Sequence, residues 1–121
     1  MAAWALLLPN MTEPSAKHEV NIARGNIYIP VSTFDTYFKG IEAVALLPHE
    51  DGILVFPLIQ DSAGGLLLKI KNLQGDRIVH AQEFFRNNNY LEEFLERPCE
   101  VRWLSDRAAL LIVDVPRAVN S

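Results

Sequence analysis

Few side chains in this sequence could take part in a reaction, and Cys99 is the first to consider. A cysteine nucleophile needs a base such as His80 beside it and an acid that orients the base. Cys99 follows Pro98 at the edge of an apolar segment, where a free cysteine usually packs as a small hydrophobic side chain. We therefore expect no catalytic residue and no enzyme activity.

Two clusters contain side chains of metal-ligand or acid-base type. His49, Glu50 and Asp51 are consecutive at a predicted turn, so their side chains point apart, and no second cluster offers a closing ligand. Glu92 and Glu96 share a helix face, which is typical of a solvated surface when no second acidic cluster is present. The chain also lacks a phosphate-binding glycine loop, a dinucleotide fingerprint and zinc-ligand spacing. We expect neither a metal nor a cofactor.

Basic side chains at strand and turn positions could instead contact phosphate groups. Binding to DNA requires several such contacts, each of which releases counterions. The chain is acidic overall, with fifteen acidic and eleven basic residues, so a general affinity for polyanions is not predicted. Ordinary solvated surface positions explain the same residues equally well. The basic residues in question are Lys17, Arg24, Lys69, Lys71 and Arg77, with Arg86 as a sixth.

Length and composition indicate a single domain, or two closely packed half-domains. The chain has 121 residues, half of them hydrophobic, which is enough to bury a core. Its single cysteine cannot form an internal disulfide, which fits a reducing compartment. We expect a cytoplasmic protein.

Residues 1–10 are apolar but too few to cross a bilayer, which requires about 20 apolar residues. They also lack the basic region of a secretory signal, so no membrane partner is expected. Met11 opens a more ordinary protein start. Residues 1–10 are therefore either a translated upstream extension or an arm that packs in an oligomer.

The elements that position these side chains recur along the chain. Gly25 and Gly75 are fifty residues apart, as are Phe34 and Phe84. The sequence therefore predicts one unit present twice. The predicted segments are an N-terminal arm at 1–17, a first repeat at 18–60, a linker at 61–65, a second repeat at 66–116 and a tail at 117–121.

In the first half, apolar residues alternate on both sides of Gly25, which predicts two strands joined by a glycine turn. Ser32 is the predicted N-cap of a short helix that Gly40 closes. The aromatic residues within 34–38 fall on one face of this helix and are expected to be core. An Asp-Gly pair ending at Gly52 separates two apolar runs and predicts a hairpin.

The second half repeats this order, and Asp76 after the turn allows two alignments. If Asp76 is inserted as a bulge, Arg77 matches Asn26 and Ile78 points inward, and we favour this interpretation. If nothing is inserted, Asp76 matches Asn26 and the inward face is reversed. The predicted elements are strands at 66–71 and 77–81, helices at 82–86 and 90–97 ended by Pro98, and hairpin strands at 101–104 and 108–115.

Two copies of strand, glycine turn, strand, short helix and hairpin resemble the AbrB-like swapped-hairpin proteins. Because both copies lie in one chain, the sequence is most similar to the MraZ family of transcriptional regulators. The resemblance covers roughly residues 18–115, and its matching motifs are at 24–30 and 72–75. The departures from the family pattern are Ile22 in place of an acidic residue, Asn26 in place of the turn arginine, and Asp76 in the second copy.

The resemblance implies a mainly β fold with short helices, in which two tandem β-hairpin–helix–hairpin repeats form one barrel-like domain. It also implies a homo-oligomer that binds DNA through basic residues on the strands and turns of one face. The DNA-contact candidates that the resemblance implies are Lys17, Arg24, Lys69, Lys71 and Arg77, with Arg86 as a sixth. Arg24 is the leading contact because it immediately precedes the turn glycine. The alternative is a protein of the same build that has lost its basic turn residues and serves as an oligomeric protein-interaction module without binding DNA.

Overall fold

The computed structural model describes residues 18–59, 65–90, 96–115 and 117. These ranges contain nine strands and two short helices, so the predicted mainly β class with short helices is confirmed. Neither helix within them is long and apolar enough to cross a membrane. The strands are β1 Glu19–Ala23, β2 Asn26–Ile29, β3 Ala43–His49, β4 Gly52–Leu58, β5 Leu66–Leu67, β6 Lys69–Ile70, β7 Arg77–His80, β8 Arg97–Leu104 and β9 Ala109–Val113, and the helices are α1 Val31–Tyr37 and α2 Gln82–Asn87.

Several predicted segments lie outside the residues that the structure describes. The N-terminal arm at 1–17, which includes Lys17, is one of them. Positions 61–64 of the predicted linker and 91–95 of the second predicted helix are also outside. Of the predicted tail, Arg117 is described.

The nine strands form one antiparallel sheet that curls into a nearly closed barrel. Their order across the sheet is β5-β3-β4-β9-β8-β1-β2-β7-β6. The strands at the two ends, β5 and β6, belong to one extended segment at 66–70 that pairs first with β3 and then with β7. Between them, the Leu68 amide donates a 2.9 Å hydrogen bond to the Glu42 carbonyl. One continuous segment thus joins the two edges of the sheet, which protects them from pairing with other chains.

Strand pairing crosses repeatedly between the two halves of the chain. β1 pairs with its neighbour β2 and with β8 of the second half. The segment at 66–70 pairs with β7 and with β3 of the first half. β2 pairs with β7, and β4 pairs with β9. Each half is therefore completed by strands of the other, so the two halves bury one shared core.

The barrel interior and the two helices contribute to this core. Phe34 and Phe38 of α1 are 6% and 0% exposed, and Tyr37 packs against the same cluster. The aromatic stripe predicted in α1 is thus confirmed as core. In α2, Phe85 is fully buried, whereas Phe84 is partly buried. Burial of each large aromatic side chain stabilises the fold by about 1.5–3 kcal/mol.

α1 begins two residues earlier than the sequence pattern predicts. Ser32 lies in the first turn, so its prediction as the N-cap is wrong, and Pro30 precedes the helix. Pro30 has a φ of −59°, close to the value that its ring imposes, and its carbonyl accepts a 2.9 Å hydrogen bond from the Phe34 amide. Since the proline side chain cannot cap the helix, the Val31 amide donates instead to Asp76 Oδ1, at 2.8 Å.

Pro98 lies inside a strand and not at the end of a helix. β8 starts at Arg97, so the prediction of helix up to that residue is wrong. Residues 97–100 pair with β1, whereas residues 101–104 pair with β9. Pro98 pairs with a neighbouring strand on one side only. The amide hydrogen that proline lacks is therefore not needed for pairing on its other side. The strand therefore continues through Pro98 to Cys99, which is buried.

The residues after Asp76 show which face of β7 points into the barrel. Val79 is fully buried, whereas Ile78 is half-buried. The interpretation of Asp76 as an insertion requires Ile78 to point inward and is therefore wrong. Asp76 instead completes the preceding turn, where its carbonyl accepts a 2.8 Å hydrogen bond from the Lys71 amide. Because side chains alternate along a strand, Arg77 shares the inward direction of Val79.

Candidate nucleic-acid interface

Two lysines and a tyrosine lie on the outside of the barrel wall formed by β6, β7, β2 and β1. Directly opposed residues of antiparallel strands share a face, and Lys69 is opposite Ile78, which is opposite Tyr28. Lys71 follows Lys69 by two residues and so points in the same direction. Both lysines are exposed. We refer to Arg24, Tyr28, Lys69 and Lys71 as the basic face.

Arg24 lies at the tip of the turn that joins β1 to β2. Ala23 and Asn26 are paired, so Arg24 and Gly25 form a two-residue turn, with φ values of 53° and 77°. Two positive φ values are typical of a type I′ turn, which follows the twist of the sheet and favours asparagine followed by glycine. An arginine in this left-handed conformation costs about 1 kcal/mol. The turn therefore presents an exposed Arg24 side chain at some cost to stability, as functional positions often do.

Arg24 and Lys71 line one shallow groove on the basic face, with a volume of about 450 Å³. The Lys71 Nζ lies 4.7 Å from the centroid of the Tyr28 ring, a cation–π contact that holds the ammonium group at the groove. Glu96 lines the same groove and brings a negative charge to it. The guanidinium and ammonium groups are suited to phosphate oxygens, whereas the Glu96 carboxylate would repel them.

Arg77, in contrast, points away from the basic face. Its guanidinium lies 4.0 Å from the centroid of the Phe34 ring and donates a hydrogen bond to the Gly75 carbonyl. This half-buried side chain holds the turn before β7 against α1 and does not line the groove. Arg86 lies in the last turn of α2, and Lys17 is outside the described residues. The predicted contacts that share the basic face are Arg24, Lys69 and Lys71.

Asp76 connects the turn before β7 to the start of α1. Its Oδ1 accepts the Val31 amide at 2.8 Å, and its Oδ2 accepts the Asn72 side-chain amide at 2.9 Å. The Asn72 Oδ1 accepts the Gly75 amide at 3.1 Å, which closes the turn. The Asn72 hydrogen bond, the Val31 amide and the charge of Lys71 together hold the pKa of Asp76 below its usual range. Asp76 thus supplies the cap that α1 lacks in its own sequence.

We expect Asp76→Ala to lower the thermal midpoint at neutral pH, because it leaves the first amide of α1 without its partner. The lowered pKa means that the carboxylate stabilises the fold above the ordinary aspartate pKa of about 3.9 and loses this effect as the pH falls through the folded-state pKa. The gap in thermal midpoint between wild type and variant should therefore narrow below about pH 4. Circular dichroism melts across this range measure the gap.

The control for this prediction is Asp106→Ala, which removes an exposed carboxylate in the β8–β9 turn. This substitution removes the same charge but leaves the hydrogen bond at the start of α1 intact. We expect its thermal midpoint to stay close to that of the wild type at every pH. Equal losses in the two variants would contradict the capping role of Asp76.

Cys99 is buried in the barrel. It lies opposite Val20 in the β1–β8 pair, and its Sγ is 3.8 Å from the Arg97 carbonyl. Burial raises the pKa of the Cys99 thiol, which favours its protonated form at neutral pH. His80, the base that a cysteine nucleophile would need, is exposed and lies opposite Asn26 in a different strand pair.

His49 and Asp51 meet in the β3–β4 turn without a third ligand among the described residues. The His49 Nδ1 accepts a 3.0 Å hydrogen bond from the Asp51 amide and lies 4.0 Å from the Asp51 carboxylate. Glu92 is outside the described ranges, whereas Glu96 belongs to the groove. Within those ranges, no group of three histidine, cysteine, aspartate or glutamate side chains could hold a metal ion.

Besides Ala23, two residues of the groove, Tyr28 and Glu96, were not among the contacts predicted from the sequence. The alternation in β2 predicts that Tyr28 points away from the core, and its half-buried side chain does so. That pattern contains no signal that Lys71 would cover the Tyr28 ring. Glu96 carries no local signal either, because it reaches the groove through the pairing of β8 with β1.

Comparison with known proteins gives no assignment for this chain. No family model, no curated protein and no solved structure matches it.

Proposed function

We propose that this chain is a cytoplasmic DNA-binding transcription regulator of AbrB-like build, most similar in plan to the MraZ family, that acts as a homo-oligomer. In this proposal residues 18–60 and 66–116 are two tandem repeats. The strand pairing supports the duplication, because β1 and the segment at 66–70 have equivalent partners. β1 pairs with β2, the next strand of its own half, and with β8, which follows α2. The segment at 66–70 pairs with β7, the next strand of its own half, and with β3, which follows α1.

The glycine turns of the two halves also make equivalent contacts, which supports the duplication further. Gly25 and Gly75 have φ values of 77° and 100°. A Cβ on Gly25 would lie 2.9 Å from the Gln82 side chain, and a Cβ on Gly75 would lie 3.2 Å from Val31. Gln82 and Val31 are the first residues of α2 and α1, so each glycine lies against the helix start of the opposite half.

The two helix starts correspond to one another in this proposal, with a small change from the sequence alignment. The Phe34 amide donates to the Pro30 carbonyl at 2.9 Å, and the Phe85 amide donates to the Ala81 carbonyl at 2.9 Å. Both phenylalanines are buried. The first residues of the two helices are one residue further apart in the sequence than the two glycines. Phe85, and not Phe84, is therefore the counterpart of Phe34.

The basic face is the observation that carries the DNA-binding proposal. Arg24 at the tip of its turn and Lys71 beside Tyr28 line one groove, and Lys69 is exposed on the same face. One guanidinium and two ammonium groups can each neutralise a phosphate and release its counterion. Contacts of this kind position the protein on a duplex and do not read its sequence. The affinity for DNA should therefore fall steeply as the salt concentration rises.

Self-association would compensate for the small number of basic groups in one chain. The net charge of −4 opposes the approach of DNA to surfaces other than the basic face. A symmetric oligomer presents the same face once in each subunit, and a duplex that touches several subunits gains from their combined contacts. The homo-oligomer and the DNA-binding activity are therefore parts of one proposal.

The alternative is an oligomeric protein-interaction module of the same build that does not bind DNA. The position of Glu96 in the groove favours it, since a carboxylate opposes phosphate binding. Exposed apolar residues next to Lys71 in the sequence favour it as well. Ile70 and Leu73, on either side of Lys71, are 69% and 106% exposed, which is typical of surfaces that contact proteins.

Fluorescence anisotropy with labelled DNA tests the proposal. We expect wild-type protein to bind a duplex taken from the region upstream of its own gene, with an affinity that falls as salt is added. An unrelated duplex of the same length is the comparison for sequence preference. Absence of binding at low salt, where electrostatic attraction is strongest, would contradict the DNA-binding proposal and favour the interaction module.

We expect Glu96→Gln to strengthen DNA binding by about fivefold at low salt, because a carboxylate in the groove repels phosphate by roughly 1 kcal/mol. The same anisotropy assay measures this gain. Glu50→Gln, in the exposed β3–β4 turn, removes an equal charge away from the groove and is the matched control. An equal gain in both variants would show that net charge alone matters and would count against the groove.

A further inference from the structure

A second hydrophobic cluster lies on the outside of the barrel, on the wall formed by β3, β4, β9 and β8. Leu54 is opposite Leu111 and Leu47, so these side chains share a face. The adjacent residues Ile53 and Ile112 belong to the central core, so the Leu54 set points outward. We refer to this cluster as the outer apolar face, and its residues are Leu54, Phe56, Leu104, Ala109, Leu111 and Val113.

Three residues of the outer apolar face are almost completely buried although they point away from the barrel core. Ala109, Leu54 and Leu111 are 0%, 2% and 5% exposed. Among the described residues, the partly buried side chains that pack against them belong to the same face. A sheet face that is turned to water leaves its side chains accessible. The low exposure of these three side chains therefore indicates a further layer over this wall of the barrel.

We propose that residues 1–10 of the same chain form this layer over the outer apolar face. The segment contains no charged residue and includes Trp4 and three leucines at positions 6–8. An apolar segment of this kind seeks an apolar surface, and the outer apolar face is such a surface on a chain with net charge −4.

The point at which the described chain begins makes this placement possible. The His18 ring lies 5.5 Å from the Tyr37 ring, which stacks at 5.7 Å on Trp103. Glu19, the residue after His18, is opposite Glu100 of β8, so the described chain begins beside a strand of this wall. The connecting residues 11–17 can span about 23–25 Å when extended. A wall of four strands is about 14 Å wide, so residues 1–10 of the same chain can reach across it.

Removal of residues 1–10 is the first test, with a variant that begins at Met11 compared with the full chain. We expect several-fold higher fluorescence of the dye ANS, which binds exposed apolar surface, and a lower thermal midpoint. Unchanged dye binding and an unchanged midpoint would overturn the proposal. Sedimentation of both proteins shows where the segment binds. If its removal converts an oligomer into monomers of unchanged stability, the segment packs on another copy and the proposal for the same chain is wrong.

The second test does not depend on the folding of a truncated protein. Trp103→Phe leaves Trp4 as the only tryptophan of the full chain. We expect its emission to be blue-shifted and poorly quenched by acrylamide, and an added Leu47→Glu at the rim of the outer apolar face should reverse both properties. Leu47 is 51% exposed, so the charge should be tolerated, and Ile70→Glu, at a site 69% exposed on another wall, is the matched control. Quenching of Trp4 as efficient as in urea would overturn the proposal.

Discussion

Replacement of both Arg24 and Lys71 with alanine is expected to weaken DNA binding by about tenfold or more at low salt. Each lost phosphate contact removes close to one released counterion, so the slope of log affinity against log salt concentration should fall by about two for each bound protomer. Anisotropy titrations at several salt concentrations measure both quantities. Because phosphates are common to all sequences, the loss should be similar for the upstream duplex and an unrelated one.

Arg24→Asn separates the charge of this side chain from its effect on folding. Asparagine tolerates the left-handed conformation better than arginine, and it is preferred before glycine in a type I′ turn. The variant should therefore be more stable than wild type by up to about 1 kcal/mol while binding DNA as weakly as Arg24→Ala. Higher stability with lower affinity is the result expected when a residue is retained for function at a cost to the fold.

Two controls distinguish the groove from a general effect of charge. Lys39→Ala combined with Arg107→Ala removes two exposed positive charges that do not line the groove, so this variant has the same net charge as the Arg24 and Lys71 double variant. We expect it to retain wild-type affinity. Arg77→Ala should also bind normally, although the loss of its contact with the Phe34 ring should lower stability. Equal losses of affinity in all of these variants would contradict the proposed interface.

Local sequence patterns were sufficient to predict several elements of this fold. The alternation of apolar residues around Gly25 predicts β1 and β2, and the spacing of the aromatic residues predicts α1 and its buried face. The hairpin predicted at Gly52 also forms, with His49 opposite Gly52 and the turn at Glu50 and Asp51. These features depend on residues that are close to one another in the sequence, so the sequence pattern shows them directly.

Features set by contacts between the halves could not be predicted in the same way. The direction of Arg77 depends on the register of β7, and one residue of slip reverses it. That register is determined by the pairing of β7 with β2 and by the bond from Asp76 to the start of α1. Similarly, Pro98 reads as a helix stop because its tolerance within β8 depends on which side of the strand is paired.

The candidate interface shows both situations. Arg24 could be singled out from its place before a turn glycine, and the lysines of the segment at 69–71 from their alternation with apolar residues. The assembly of these residues beside Tyr28 and Glu96 depends on how β6, β7, β2, β1 and β8 lie side by side. A sequence pattern can therefore indicate which residues belong to such a face, whereas their arrangement beside one another depends on the order of the strands.

The largest loss of stability is expected from Gly52→Ala, which should lower the free energy of unfolding by at least about 3 kcal/mol. A Cβ at this position would overlap the Ile112 carbonyl oxygen and lie 2.9 Å from the Ile112 carbonyl carbon. Both are backbone atoms, so no change of rotamer can relieve the overlap, and β4 would have to move away from β9. Gly52 is opposite Val113 in that pair, and its carbonyl also accepts the Tyr90 hydroxyl at 2.6 Å.

Gly40→Ala is the matched control, because a Cβ there would have no heavy atom within 4 Å. Its cost is confined to the left-handed backbone, with a φ of 81°, and should be about 1–2 kcal/mol. Urea denaturation of both variants measures the two losses on one scale. A domain of this size has only about 5–15 kcal/mol of stability, so separation of β4 from β9 should leave Gly52→Ala near the edge of unfolding. Equal losses would mean that β4 can leave β9 freely, and that this pairing between the halves does not hold the barrel together.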